Sequence, residues 1–186
     1  MPPKVKITKE DIVKTAMDLV RTNGEECLNA RAIAKALGCS TQPIFSNFDS
    51  MDTLRLAVIH YANNLSNEYI KKEIESGLYP IYKATGMAYI RFAKQEKQLF
   101  KLLYMRDRSL EHPNAPSEFD SYIETIVQNN TGLSVKDARF FHLEIWVYVH
   151  GIASMFATGF LDLEWDLVSK MITDAYQGLR KQYGLE

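Results

Sequence analysis

Four polar side chains that lie close together, Thr41, Gln42, Ser46 and Asn47, are of the types that read base edges. Glutamine and asparagine can hold an adenine edge through paired hydrogen bonds, and threonine can touch a thymine methyl. No lysine or arginine falls between Ser40 and Phe48, so A·T contacts are expected to carry more of any readout than guanine contacts. Arg31, Lys35 and a basic arm of Lys4, Lys6 and Lys9 are suited to phosphate. With Ser40 and Phe45 added, the candidate nucleic-acid set is Arg31, Lys35, Ser40, Thr41, Gln42, Phe45, Ser46 and Asn47. The bland alternative for each residue singly is a solvated polar side chain.

These residues need a scaffold, and Leu28 to Phe48 supplies its pattern. Asn29 is suited to cap a helix, because its side-chain oxygen accepts a free first-turn N–H. Ala32, Ile33, Ala36 and Leu37 then form one apolar stripe. Gly38 can take the left-handed conformation that stops a helix. Cys39 is small enough to sit under the turn. Ser40 is expected to cap a second helix, with Pro43 in its first turn, where a missing N–H is tolerated. Ile44, Phe45 and Phe48 are expected on its buried side. A helix, a tight turn and a second helix make the helix-turn-helix pattern, whose second helix enters the DNA major groove. An ordinary helical hairpin has the same pattern, so the neighbouring elements decide between them.

Thr8 and Asp11 open a preceding helix as a capping box, Ile12, Ala16, Leu19 and Val20 form its stripe, and Gly24 ends it. Asp49 and Ser50 offer a cap for a long fourth helix, with Leu54, Ala57, Val58, Tyr61, Ala62, Leu65, Tyr69 and Ile70 on its apolar face. No Gly/Ser-rich linker precedes it, so the first three helices should be rigidly joined to the rest. A fifth helix is expected from Pro80 to Lys94, with Ile81, Ala84, Ala88, Tyr89 and Phe92 inward, and a sixth from Lys97 to Met105. A charged loop, Arg106 to Pro116, leads to a seventh capped by Ser117. Ser134 and Asp137 cap an eighth that reads to Leu161, apolar nearly all round its centre and therefore in need of cover on most sides. Glu164 opens a ninth that ends near Tyr183.

Composition excludes other classes. Hydrophobic residues make up 46% of the 186 and charged ones 24%, as in an ordinary globular protein. No apolar run is expected to reach the roughly 20 residues that span a bilayer, and the N-terminus lacks the apolar core of a signal peptide. Cys27 and Cys39 form neither a CxxC pair nor a zinc spacing, and a reduced, cytoplasmic setting is expected. The net charge is −1, which by itself disfavours a nucleic-acid binder. Residues 1–48 carry seven basic against five acidic side chains, a surplus of two. Non-specific DNA affinity should therefore be modest and pairing of two chains important. His142, Glu144 and His150 share a helix, but the two histidines stand about 12 Å apart along it, too far to hold one ion. There is no HExxH, nucleophile elbow or Gly-rich phosphate loop. No enzyme activity, metal or cofactor is expected.

The chain resembles the TetR family of transcriptional regulators, most strongly over Thr8–Leu54. The matching residues are Asn29, Arg31, Ile33, Ala34, Gly38, Ser40, Ile44, Phe45, Phe48, Ser50 and Leu54. The stretch Trp146 to Gly159, WVYVHGIASMFATG, is similar to a Trp/His-Gly version of the family's C-terminal domain. Phe45 replaces the family's usual Tyr, Asn47 its His or Tyr, Met51 its Lys, and Gln42 its Gly. One phenolic donor and one cation are thus missing from the phosphate surface.

The resemblance implies an all-α fold of about nine helices. It divides the chain into a helix-turn-helix DNA-binding domain, residues 1–48, and an effector-binding and dimerisation domain, residues 49–186. The expected partners are operator DNA, a small, mainly apolar effector and a second copy of the chain, with no membrane. The function implied is ligand-controlled repression, in which the fourth helix tilts and changes the separation of the two reading helices. A helical interaction protein with weakened or lost DNA binding is the alternative. Effector candidates are Tyr89, Phe92, Phe100, Leu103, Tyr104, Phe119, Tyr122, Trp146 and His150, with aromatic core as the competing reading. Met155, Phe156, Gly159, Phe160, Val168, Ile172, Ala175 and Leu179 are candidates for the dimer interface; Gly151, Ala153, Ala157 and Gly159 would allow close helix approach. The competing reading is that these fill the protomer's own core.

Overall fold

The structure, a computed structural model, describes residues 7–106 and 118–185, and only the backbone of 118–120. Lys4, Lys6, the side chain of Phe119, the expected Ser117 cap and the loop 107–116 lie outside the described residues. Among the described residues there are nine α-helices and no strand: α1 Lys9–Asn23, α2 Ala30–Ala36, α3 Gln42–Asn47, α4 Met51–Glu75, α5 Ile81–Gln95, α6 Lys97–Tyr104, α7 Glu118–Thr131, α8 Val135–Thr158 and α9 Trp165–Gln182. One short 3-10 turn, Glu25–Cys27, which the sequence pattern did not indicate, joins α1 to α2.

The helices gather into two compact units. The first comprises residues up to Asn67 together with Glu96–Arg106, and the second Glu68–Gln95 with the remainder. The residues of α4 are therefore shared between the two.

In the first unit, α1 begins where Thr8 and Asp11 cap one another. The Thr8 hydroxyl accepts from the Asp11 N–H at 3.1 Å, and the Asp11 carboxylate accepts from the Thr8 N–H at 2.9 Å. The Thr8 hydroxyl also donates to the Asp11 carboxylate at 2.6 Å, and this bond first, with that from the Thr8 N–H second, holds the Asp11 carboxyl below its ordinary pKa. α1 packs on α2, α3 and α6. Ile12, Ala16, Val20, Ile33, Ile44, Phe48, Leu54, Leu99 and Phe100 are buried, each large one contributing about 1.5–3 kcal/mol. The ammonium of Lys9 lies 4.8 Å from the centre of the Phe48 ring, which ties the start of α1 to the end of α3. Ion pairs Arg21–Glu96 and Arg55–Glu25 add ties distant in sequence.

In the second unit, α5 packs along α8 and touches α7 and α9, while α8 also packs on α7 and α9. The core is Ala84, Met87, Ala88, Ile90, Phe92, Ala138, Phe141, Ile145, Val149, Ile152, Ala153, Phe156, Val168 and Ile172. Gly86 faces Val149 and Ile172, where an added Cβ would stand 3.5 and 3.9 Å from their side chains. The helix expected to reach Leu161 stops at Thr158, because Gly159 turns left-handed at φ 72°.

Several expectations about cover fail. Tyr61, placed on the apolar face of α4, is exposed, as is Ile81, placed inward, at the first position of α5. α8, expected to be covered on most sides, leaves Phe140, Leu143, Val147, Tyr148 and Met155 exposed in the protomer. By length and composition α8 is also apolar enough to cross a bilayer, although Arg139, His142, Glu144 and His150 interrupt its apolar run. Its buried stripe from Ala138 to Ala157 is nonetheless part of the second unit's core.

Candidate nucleic-acid interface

The two short helices are set by their caps. The Asn29 side chain accepts from the Ala32 N–H at 2.9 Å, as a polar N-cap should. After Leu37 the chain turns at Gly38, whose φ of 65° suits glycine, and the Cys39 N–H bonds back to the Ala34 carbonyl at 3.0 Å. The expected Ser40 cap is displaced: Thr41 is the N-cap of α3 and makes no side-chain capping bond. Its φ of −72° and ψ of −12° are already helical, and Pro43 in the first turn holds the entry geometry. Ser50 and Thr53 cap α4 reciprocally, the Ser50 hydroxyl accepting from the Thr53 N–H at 3.2 Å and the Thr53 hydroxyl from the Ser50 N–H at 3.1 Å.

Ile33 and Ala34 turn inward on α2, and Ile44 on α3. Arg31, Lys35, Ser40, Gln42 and Ser46 are exposed, and Thr41 and Asn47 half-buried. The expectation that Phe45 joins the buried side is overturned: Phe45 is 52% exposed, because Ile44 and Phe48 alone fill the inward positions. Arg31 and Lys35 make no ion pair among the described residues. Glu25, the nearest acid to precede α2 apart from Glu26, is engaged by Arg55. Two polar groups of α3 are partly spent on their own helix. The Ser46 hydroxyl donates to the Gln42 carbonyl at 2.9 Å, and the Asn47 amide to the Pro43 carbonyl at 2.7 Å.

The effector candidates fall in both units. Phe100, Leu103 and Tyr104 belong to the first: Phe100 and Leu103 are buried, and the Tyr104 hydroxyl lies 3.3 Å from that of Ser66. The others belong to the second. Phe92 is fully buried, edge-on to Tyr69 at 5.4 Å. Tyr89, His150 and Trp146 are brought together: the Tyr89 hydroxyl is 2.8 Å from His150 Nδ1, and the imidazole stacks on the indole at 5.0 Å. Burial lowers the His150 pKa, since it penalises the charged imidazolium. Trp146 and Tyr122 expose 41% and 48% of their surface. A second pair of the same kind, Tyr82 hydroxyl to His142 Nδ1 at 2.8 Å, has no counterpart in the sequence reading. Nothing in the spacing of Tyr82 and His142, sixty residues apart, points to it.

Of the interface candidates, Phe156, Val168 and Ile172 are buried within the protomer and offer nothing to a partner. Ile172 lies against Gly86 of α5, and Phe156 of α8 stacks on Trp165 of α9 at 5.8 Å. Ala175 and Leu179 are half-buried, and Met155, Gly159 and Phe160 are exposed. Phe140, Leu143, Val147 and Tyr148, which were not among those candidates, are exposed on α8. The signal was there in the excess of apolar residues around α8.

Over its whole length the chain is similar to a solved structure, that of a TetR-like transcriptional regulator from Rhodococcus sp. RHA1. The identity is 17%, the TM-score 0.65, and the match covers 96% of this chain and 98% of that one. At that identity the likeness shows a shared fold. Among curated proteins, none matches the sequence. The family model for the tetracyclin repressor-like C-terminal domain matches residues 82–175, which span α5 to the middle of α9. By that match, over half of its length, the chain belongs to the TetR-like family of transcriptional regulators.

Proposed function

We propose that the chain is a dimeric, ligand-controlled repressor that reads operator DNA with α3. Residues 1–48 act as the DNA-binding domain and residues 49–186 as the effector-binding and dimerisation domain. The observation that carries this reading is the outward face of α2 and α3. Arg31, Lys35, Gln42, Phe45 and Ser46 stand exposed there on two short helices, the first capped by Asn29 and the second entered through Pro43. The cations suit phosphate, and Gln42 suits a base edge.

Pairing is supported by α8. Phe140, Leu143, Val147 and Met155 make an exposed apolar strip, with Gly151 and Ser154 among them to admit a close helix. Such a strip marks an association surface, and a two-fold pair presents the same strip from both chains. Two α3 helices would then meet successive major grooves roughly 34–36 Å apart. The Tyr89–His150–Trp146 cluster supports an effector site in the second unit, aromatic in its walls and polar at one point. The effector acts by binding better to the arrangement that cannot grip DNA.

The test is selection of duplexes from a random pool by the full chain. Enrichment of a two-fold-related sequence is the expected result. Gln42→Ala and Asn47→Ala should then weaken the enriched duplex more than random DNA. Equal loss on both would refute the assignment of base contacts to α3.

A further inference from the structure

We propose that Phe45 reads the 5-methyl group of a thymine in the major groove. This rests on the reading of α3 as the DNA-contacting helix. The ring of Phe45 is 52% exposed on a six-residue helix whose inward positions are already filled by Ile44 and the following Phe48. Among the described residues the ring meets no other ring and no cation, whereas the Phe48 ring three residues on is engaged by Lys9. The outward ring therefore offers apolar area on the face that carries Gln42.

The neighbouring chemistry narrows what that surface is. α3 contains no cation, so the bidentate recognition of guanine by arginine or lysine is absent from it. The Ser46 hydroxyl hydrogen is committed to the Gln42 carbonyl, and one amide hydrogen of Asn47 to the Pro43 carbonyl. Gln42 is left as the exposed side chain with both donor and acceptor free among the described contacts of α3. Gln42 and Phe45 are three residues apart on the helix and so share a face. An A·T pair displays in the major groove an adenine edge that suits glutamine and a methyl group that suits phenylalanine. A phenylalanine has no hydroxyl for a phosphate, so a role for it on the backbone would be apolar and blind to sequence.

The test uses the duplex enriched by the full chain. Each thymine is replaced in turn by deoxyuridine, which removes the methyl group and keeps the base pair. Affinity is measured by fluorescence anisotropy at one fixed salt concentration. One thymine in each half-site is expected to be sensitive, its replacement weakening binding about fourfold, the worth of one buried methyl group. Replacement in both half-sites should cost about fifteenfold. Phe45→Ala should weaken the thymine duplex by a similar factor and bind thymine and deoxyuridine duplexes alike. Phe45→Leu should keep part of the discrimination. Equal melting temperatures and helix content of the variants check that the fold is intact.

Indifference of the wild-type chain to deoxyuridine at every position would overturn the proposal, as would undiminished sensitivity in Phe45→Ala and Phe45→Leu. These outcomes leave DNA binding by α3 standing. Failure to enrich any duplex would remove that reading, and the role of Phe45 with it.

Discussion

Gly151 gives a sharp test of how two chains meet. It lies on α8 one turn from Val147 and one turn from Met155, which are 56% and 39% exposed. A Cβ added at Gly151 meets no atom within 4 Å in the protomer. In an isolated protomer, Gly151→Ala should therefore be stabilising by up to about 1 kcal/mol, the usual helix preference of alanine over glycine. If a partner's α8 packs on this strip, the same methyl is an intrusion. Each added methyl in a packed contact costs about 1–3 kcal/mol, and a two-fold interface contains it twice. The dimer should then weaken by about 2–6 kcal/mol, or roughly thirtyfold to more than ten-thousandfold in Kd. Sedimentation equilibrium over a concentration series gives the dimer constant, and thermal melting at low concentration gives the protomer's stability. The two measurements should move in opposite directions. A variant that gains stability with an unchanged or tighter dimer constant would show that α8 meets solvent at Gly151.

Two further predictions concern the second unit. Glu73 is 7% exposed and accepts from Arg91 Nε at 2.9 Å and Nη2 at 3.3 Å; Glu73→Ala leaves the guanidinium, which also lies 4.5 Å from the centre of the Trp165 ring, without its carboxylate. Urea unfolding should show a loss of about 3 kcal/mol, and a loss below about 1 kcal/mol would reduce the pair to a surface contact. His150 has its pKa lowered by burial from the ordinary 6.5, so the unfolded chain holds the proton more tightly. Its contribution is complete above pH 6.5 and is lost as the pH falls through the lowered folded value. The melting temperature of the wild type should therefore fall more between pH 7.5 and 5.5 than that of His150→Gln, and parallel curves would refute the assignment.

Much of this architecture was legible in the residues. Thr8 with Asp11, Asn29, and Ser134 with Asp137 marked helix starts because capping is local chemistry, settled within four residues. Gly24 marked a helix end for the same reason. What spacing could not give was cover. Phe45 and Ile81 satisfy a helical stripe as well as their neighbours do, and only the packing of other elements decides that they face outward. Conversely nothing in the spacing marks Glu73 for burial, yet Arg91, eighteen residues on, draws it inward. Candidate base-reading residues could be named because amide and hydroxyl side chains have specific base-edge chemistry. The dimer candidates were harder: an apolar residue on α8 suits a core and an interface equally, and Phe156 and Val147 differ only in which side of one helix they occupy.

The two tyrosine–histidine bonds between α5 and α8 have a mechanical consequence. They stand at Tyr82–His142 and Tyr89–His150, spaced by seven residues on one helix and eight on the other. A slide of half a helical pitch, about 2.7 Å, would carry both beyond bonding reach at the same moment. The pair works as a detent: small pushes are resisted at both notches, and a large one releases both together. Any signal passed through a sliding α5 would emerge as a step.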